Sequence, residues 1–427
     1  MCGEIAGTFF FFKIFQYVLV WLAPTTQFDT STALLIHQLS SSLDGQSWVK
    51  KRLWDKLLSW DAVYFIKNMV NGEYEFEHEY AFSSVWPKFV RLCCRGNFEF
   101  YHILKTAVFL ENLLHFISVI LLYILTLKTF EKNILKTHQR YELARKSAVL
   151  FILTGAAGFF TGIYSEPLSS VLSFAGILAR EYSIFHDVYG NVICKWQRWP
   201  LYSLVSTICF MVAFANRSNC ILLGIFYIMD LLSLLRRRKI AQATFFPLLS
   251  GIALLLFVIF QHYYVPYKAF CPQRGGWCKD KIRMLPFTYK SFYSYIQSSY
   301  WNVGFLKYWT INNVPNFIFA IPNIVIMWYS SVYFSHQYPC SNLKPLILIT
   351  RIFLVVIVFF AHIQIINRVS SFIPLHLWYL ADRLIKKSTK KTKPLRGDDT
   401  LVKLYIYWLI YWIPVQTILF ACFLPPA

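Results

Sequence analysis

The chain has 427 residues, of which 57% are apolar, 19% aromatic and only 15% charged, with a mean hydropathy of +0.46. Soluble chains carry about 25% charged and about 45–50% apolar residues, so a surface wetted on all sides cannot be built here, and soluble, disordered and fibrous classes are excluded. The net charge of +21 would point to nucleic acid in a soluble protein, but the basic residues lie in short runs between apolar stretches, the loop bias of a polytopic membrane protein with no nucleic-acid partner.

Apolar stretches able to cross a bilayer number about eleven. They fall near 7–23, 104–127, 147–163, 168–182, 200–216, 220–235, 240–264, 313–333, 346–366, 373–385 and 401–423. The first is interrupted by Lys13 and has neither a basic leader nor a small-residue cleavage site, so it reads as a retained span. The 24–103 loop follows, and a loop of that length is costly to order unless it has a task. It contains Trp60-Asp61-Ala62 and Gly72. Asp61, between Trp60 and an apolar run, is a carboxylate that partial desolvation would suit to proton abstraction. The plainer alternative is an interfacial residue capping a short helix. Glu73, Glu75, Glu77 and Glu79 alternate, so an extended segment would point all four one way, as a solvated face or, less simply, a hard-cation site. No Asp-x-Asp motif occurs, and no metal is expected.

Glu111, Asn112 and His115 fall near one face of the second span, a face turned into the bundle. Beyond it come polar clusters at span ends: Tyr164-Ser165-Glu166-Pro167, Arg217-Ser218-Asn219, Trp301 to Trp309, and His362-Ile363-Gln364 with Arg368. The ten cysteines form no CxxC pair. Cys271 and Cys278 flank a turn-rich hexapeptide in the 265–312 loop, and either a local disulfide in an oxidising lumen or two free thiols fits that spacing. Three basic blocks set the orientation: Lys128, Lys132, Lys136, Arg140, Arg145 and Lys146; then Arg236-Arg237-Arg238-Lys239; then Lys386, Lys387, Lys390, Lys391, Lys393 and Arg396. With eleven spans all three share one side, the cytoplasmic one, and the two long loops are luminal. Glu166, Arg217, Lys307, His362 and Arg368 then converge on the side that carries Asp61. Ionisable groups at membrane depth mark functional sites. A carboxylate base facing several cations suits transfer from a lipid-phosphate donor, the cations stabilising the leaving phosphate.

With those residues in place, the chain resembles the family of GPI mannosyltransferase 2. The resemblance runs over nearly the whole length. It is carried by Tyr293-Ser294-Tyr295-Ile296-Gln297, Tyr300 to Trp309, Val314-Pro315-Asn316-Phe317 and Pro322. Trp60-Asp61-Ala62 with Gly72, Glu77-His78 and Ala81-Phe82, the 164–166 and 217–219 triplets, and His362-x-Gln364-x-x-x-Arg368 before Ser370-Ser371 complete it. The chain departs from the family where Ala81-Phe82 continues as Ser83-Ser84-Val85-Trp86-Pro87, and one residue is added between Gly72 and Glu77.

The resemblance implies an all-α, GT-C type helical bundle forming a single transferase domain over 1–427, in the endoplasmic reticulum membrane with a luminal site. It implies no cofactor, a dolichyl-phosphate-mannose donor and a GPI precursor bearing one mannose as acceptor, both held in the lipid bilayer. The expected product is an α-1,6-linked second mannose, formed with inversion. Asp61 is the expected base; Glu77, Glu166, Trp301 and Asn302 the acceptor-binding candidates; Arg217, Lys307, His362 and Arg368 the phosphate-binding ones. Fungal-type members imply a small accessory membrane subunit. Two alternatives are another dolichyl-phosphate-sugar transferase, against which the 293–317 stretch argues, and a non-catalytic lipid transporter or assembly subunit, for which Asp61 would be dispensable.

Overall fold

Helix α1 (Cys2–Leu22) turns Phe10, Phe11, Ile14 and Leu22 outward and buries Ile5, Phe9 and Val20, the division expected of a helix with lipid on one side and protein on the other. The structure, a computed structural model, describes residues 2–40, 47–82, 84–131, 137–186, 192–195, 197–271, 276–279, 291–336, 341–388 and 398–425. After α1 the long first loop folds into three short helices, α2 (Ser31–Leu39), α3 (Ala62–Asn71) and α4 (Val85–Cys93). Gly72 ends α3 at φ +85 and donates its N–H to Asn68 O at 2.9 Å, the left-handed cap that glycine adopts without strain. Leu57, Phe65, Ile66, Met69, Trp86 and Val90 bury this loop against the ends of the long helices.

Helix α5 (Phe100–Thr129) is capped by Glu99, whose carboxylate accepts from the N–H groups of Tyr101 and His102 at 3.1 and 2.7 Å. Next come α6 (Thr137–Ile152) and α7 (Glu166–Ser183), then an antiparallel pair of strands, β1 (Ile184–His186) and β2 (Val192–Cys194), then α8 (Trp199–Asn216). Helix α9 (Ile225–Arg236) continues a tight turn begun at Ser218. Helices α10 (Ile240–Ala243), α11 (Leu249–Ile259) and α12 (Val265–Phe270) form one rod, wound more loosely at 244–248, where Pro247 sits, and at 260–264. The rest is α13 (Phe292–Tyr300), α14 (Val314–His336), α15 (Lys344–Phe360), α16 (Ile366–Val369), α17 (Leu375–Ser388) and α18 (Asp398–Ala421).

Among the described residues, seven stretches are long and apolar enough to cross a membrane: Gly3–Leu22, Phe100–Thr129, Trp199–Asn216, Ser218–Arg236, Ile240–Phe270, Ile311–His336 and Thr400–Ala421. The protein is a nearly all-helical, multi-pass membrane protein. Helices also occupy the other four apolar stretches of the sequence, but α6, α15 and α17 have 16, 17 and 14 residues, and α7 carries Glu166, Arg180 and Glu181. Length and hydropathy therefore do not by themselves make these four into spans.

The two ends of the bundle differ. At one, Phe28 N–H bonds to Cys422 O at 2.9 Å and Trp86 Nε1 to Ile163 O at 2.7 Å, so the first loop roofs the end of α18 and the segment that leads into α7. At the other, Arg145 pairs with Glu4 at 2.5 Å, and Lys128 lies 5.1 Å from the Tyr182 ring. Lys132, Lys136, Lys390, Lys391, Lys393 and Arg396 lie outside the described residues. Cys271 and Cys278 are joined in a disulfide, beside a small aromatic cluster in which Phe270 and Phe292 pack on Tyr80 of the first loop and Trp277 packs on Phe292. Most of the intervening hexapeptide is outside the described residues.

Helices α7 and α8 approach closely because Gly176 offers no side chain. A Cβ there would stand 2.5 Å from Cε1 of the buried Phe210 and 3.1 Å from Cys209 Cβ, whereas one at Gly251 of α11 would meet nothing nearer than 3.9 Å. Thermal unfolding of the purified protein in detergent should show Gly176→Ala destabilised by about 1–3 kcal/mol through overpacking. Gly251→Ala should instead be stabilised by about 0.5–1 kcal/mol through helix propensity.

Candidate functional site

Four charged side chains from separate parts of the chain meet at the end roofed by the first loop. Asp61 opens α3, Glu166 opens α7, Arg217 follows α8 and Arg368 lies in α16. Arg368 Nη2 donates to Asp61 Oδ2 at 2.6 Å, and its Nε stands 3.6 Å from Glu166 Oε1. Arg217 Nη2 donates to the same Glu166 oxygen at 2.5 Å, and its Nε to Ser165 Oγ at 2.9 Å. Two carboxylates and two guanidiniums leave the quartet neutral, which is how charges persist where water is scarce. Side-chain exposure ranks them: Glu166 2%, Arg368 13%, Arg217 14% and Asp61 23%. Asp61 is thus the member a ligand reaches most readily, and Glu166 the inner brace.

Local folding explains each placement. Trp60 takes a left-handed backbone, φ 59, uncommon for a bulky residue and a sign of a constrained turn. Tyr164 Oη holds that turn by donating to Ser59 O at 2.7 Å, and Thr32 Oγ1 does so through Leu58 O at 2.6 Å. Asp61 occupies the cap position of α3 but makes no side-chain cap bond; its carboxylate is given to Arg368. Asn216 Nδ2 bonds Ser165 O at 2.7 Å and Ser169 Oγ at 2.8 Å, fixing the start of α7 beneath Arg217.

Aromatic rings seat the cations. The Arg368 guanidinium lies 4.8 Å from the Phe159 centroid and 5.6 Å from that of Tyr164, and Arg217 lies 5.8 Å from Phe65. Burial works against the Arg368 charge, but Asp61 and Glu166 outweigh it and lift its pKa above the ordinary arginine value. Burial, reinforced by the Asp61 charge, pushes the Tyr164 phenol well up, so it stays a neutral donor.

Beside the quartet lies a second group. Buried Glu77 accepts from Tyr300 Oη at 2.5 Å and Tyr295 Oη at 3.4 Å, while its Oε2 has no hydrogen-bond partner. His78 and Phe82 pack on Tyr64, one turn from Asp61. Trp301 stands edge-on to Phe82, 5.5 Å away, and its carbonyl engages His362 Nε2 at 2.9 Å. His362 in turn stacks on Tyr308 at 4.6 Å. Asn302 and Lys307 are exposed.

The acidic ladder takes another form than an extended strand would give. Residues Glu77–Ala81 wind into a tight turn, so the four carboxylates share no face. Glu75 and Glu79 pair with Lys67 at 2.7 and 2.9 Å, and Glu79 also caps the N–H groups of Glu75 and Phe76. Among the described residues no group of three His, Cys, Asp or Glu side chains could hold a metal ion. The structure thus joins Asp61, Glu166, Arg217 and Arg368 directly and places Glu77, Trp301 and His362 in the adjoining aromatic layer. The sequence reading lacked Phe159, the seat of Arg368, and had Tyr295 and Tyr300 only as part of the family stretch, not as partners of Glu77. Phe159 sits in an apolar run with nothing to set it apart.

A family model described as Mannosyltransferase (PIG-V) matches residues 3–427. The chain is 55% identical over 425 residues to a Saccharomyces cerevisiae protein named GPI mannosyltransferase 2, covering 98% of each. A Candida albicans protein of the same name is 34% identical, with all of both chains covered. Among solved structures, the crystal structure of an Archaeoglobus fulgidus oligosaccharyltransferase in the apo form aligns with 96% of this chain at 12% identity and a TM-score of 0.45, and the chain spans 56% of that protein's length.

Glu166→Gln removes the brace and leaves Arg217 with no anion. Breaking such a buried pair costs about 3–5 kcal/mol, so this variant should melt well below wild type in detergent. The double variant Glu166→Gln/Arg217→Met, which removes both charges, should recover most of the loss.

Proposed function

The chain belongs to the mannosyltransferase (PIG-V) family and is a glycosyltransferase, and on that premise we propose that it adds the second mannose, α-1,6-linked, to a glycosylphosphatidylinositol precursor that carries one. The donor is dolichyl-phosphate-mannose. The chain crosses the endoplasmic reticulum membrane eleven times as a GT-C type bundle, with its loops at 24–103 and 265–312 and its site in the lumen. A small accessory membrane subunit is its partner. Identity of 55% over 98% of both chains to a protein named GPI mannosyltransferase 2 supports the reading.

The single observation that carries the mechanism is the Asp61–Arg368 pair at 2.6 Å, with Glu166 and Arg217 behind it. The acceptor hydroxyl oxygen attacks the anomeric carbon of the donor from the face opposite the phosphate. The carbon–oxygen bond to phosphate breaks, and a β-linked donor gives an α product. Asp61, the most exposed member of the quartet, takes the hydroxyl proton. Arg368, with Arg217 beside it, stabilises the phosphate as it leaves. One negative charge thereby passes from Asp61 to the leaving phosphate, within reach of the same guanidinium, and the total charge of the site does not change during the step. Glu166 holds the two arginines at a fixed separation. Glu77, with an unclaimed oxygen, and Asn302 take acceptor hydroxyls, and Trp301 offers a ring to a sugar face. His362 and Lys307 complete the phosphate side.

Radiolabelled mannose transfer in microsomes from cells lacking their own second mannosyltransferase tests this. Wild type should convert a monomannosylated precursor to a dimannosylated one, and Asp61→Asn should be slower by about 10³-fold, since the loss combines base catalysis with electrostatics. Transfer by Asp61→Asn near the wild-type rate would assign the base elsewhere. No transfer by a stable wild-type protein, even with added membrane partners, would favour a non-catalytic role.

A further inference from the structure

The segment joining α6 to α7, residues 153–165, forms no α-helix, yet it packs between α1 and α18, two helices apolar enough to cross a membrane. Irregular backbone in such a place has no water to bond and needs protein partners for its polar groups. Helix α1 provides three. Lys13 Nζ donates to Phe160 O, Gln16 Nε2 to Ala157 O at 3.0 Å, and Tyr17 Oη to Thr161 O at 3.2 Å. Positions 13, 16 and 17 form one helix face. Helix α18 provides two more, one turn apart: Trp412 Nε1 donates to Gly155 O at 2.8 Å, and Gln416 Oε1 accepts from Gly158 N–H at 2.6 Å. Gly158 allows the approach, because a Cβ there would lie 2.7 Å from Phe420 Cβ.

Lys13 is the costly member, the single cation of α1 and placed in mid-helix. Its charge faces Glu111 of α5, which is fully buried with neither carboxylate oxygen hydrogen-bonded. An apolar span would be simpler to insert without either group. Their presence is accounted for by what the segment carries. Phe159 and Tyr164 are the two rings against Arg368. Tyr164 holds the turn before Asp61, and the segment ends in Ser165 and Glu166.

We propose that Lys13, Gln16 and Tyr17 of α1, with Trp412 and Gln416 of α18, are positioning residues for the transfer reaction: by holding 155–161 they set where Arg368 stands relative to Asp61 and Glu166. This rests on the function proposed above. None of the five touches the reacting atoms. They act through Phe159 and Tyr164.

The test measures kcat, acceptor KM and membrane abundance of the full-length chain in the mannose-transfer assay. Tyr17→Phe loses one hydroxyl and no volume, and should lower kcat about threefold to tenfold, with acceptor KM within about twofold. Lys13→Met alone leaves buried Glu111 with no cation facing it, so the informative variant is Lys13→Met/Glu111→Gln, which replaces both. It should reach wild-type abundance while kcat stays about tenfold to a hundredfold down, the scale of a small misplacement of catalytic groups. If Lys13 and Glu111 served only insertion and folding, this double variant would regain wild-type kcat, and with an unaffected Tyr17→Phe that would overturn the proposal. Should the double variant fail to accumulate, Tyr17→Phe decides alone. A wild-type chain that transfers no mannose overturns the functional reading and this inference with it, whereas wild-type transfer with unaffected variants overturns this inference only.

Discussion

One guanidinium holds the site together. Arg368 bonds Asp61, 307 positions earlier in the chain, and reaches Glu166 on a third element. In an end of the bundle where the least exposed partner is 2% accessible, none of these charges is stable alone. The first loop must therefore fold back onto the bundle, α7 must begin where it does, and the turn after α15 must return Arg368 to the same place. Much of the irregular backbone serves this meeting, including the left-handed Trp60 and the 153–165 segment, which forms no α-helix.

The helices are scaffolding of a simpler kind. Lipid-facing residues such as Phe10, Phe11, Leu255 and Leu256 are interchangeable in chemistry, and close contacts come from small residues such as Gly176. Precision is concentrated at helix ends. Ser165, Asn216 and Glu99 bond termini, and the site charges sit one or two residues from them. The candidate site thus lies where helices stop, as expected when loops are positioned by a rigid frame.

This division governs what the sequence made legible. Spans announce themselves by apolar length, so the helices and the polar interruptions at 61, 166, 217 and 368 could be read directly, and the family resemblance ordered them. That they contact each other as one neutral quartet could not be read, because pairing across the bundle leaves no periodic trace. Nor could the Phe159 seat, since a phenylalanine in an apolar run looks like any other. The alternating glutamates misled because a period of two implies a strand only where the backbone is extended, and residues 77–81 instead wind tightly, with Glu79 bonding nearby N–H groups. The spacing of Cys271 and Cys278 left two states open, and the structure has the disulfide. Lys13 and Glu111 were visible as oddities, but the carbonyl Lys13 serves lies 147 positions away.

The central claim is that Asp61 and Arg368 work as one unit in mannosyl transfer. A double-mutant cycle on kcat/KM with Asp61→Asn, Arg368→Met and the pair tests it most directly. The account predicts that the pair loses little more than the worse single variant, a coupling of about 2–3 kcal/mol. Losses that simply multiply, with coupling near zero, would mean that the two residues act independently and that their contact is only structural.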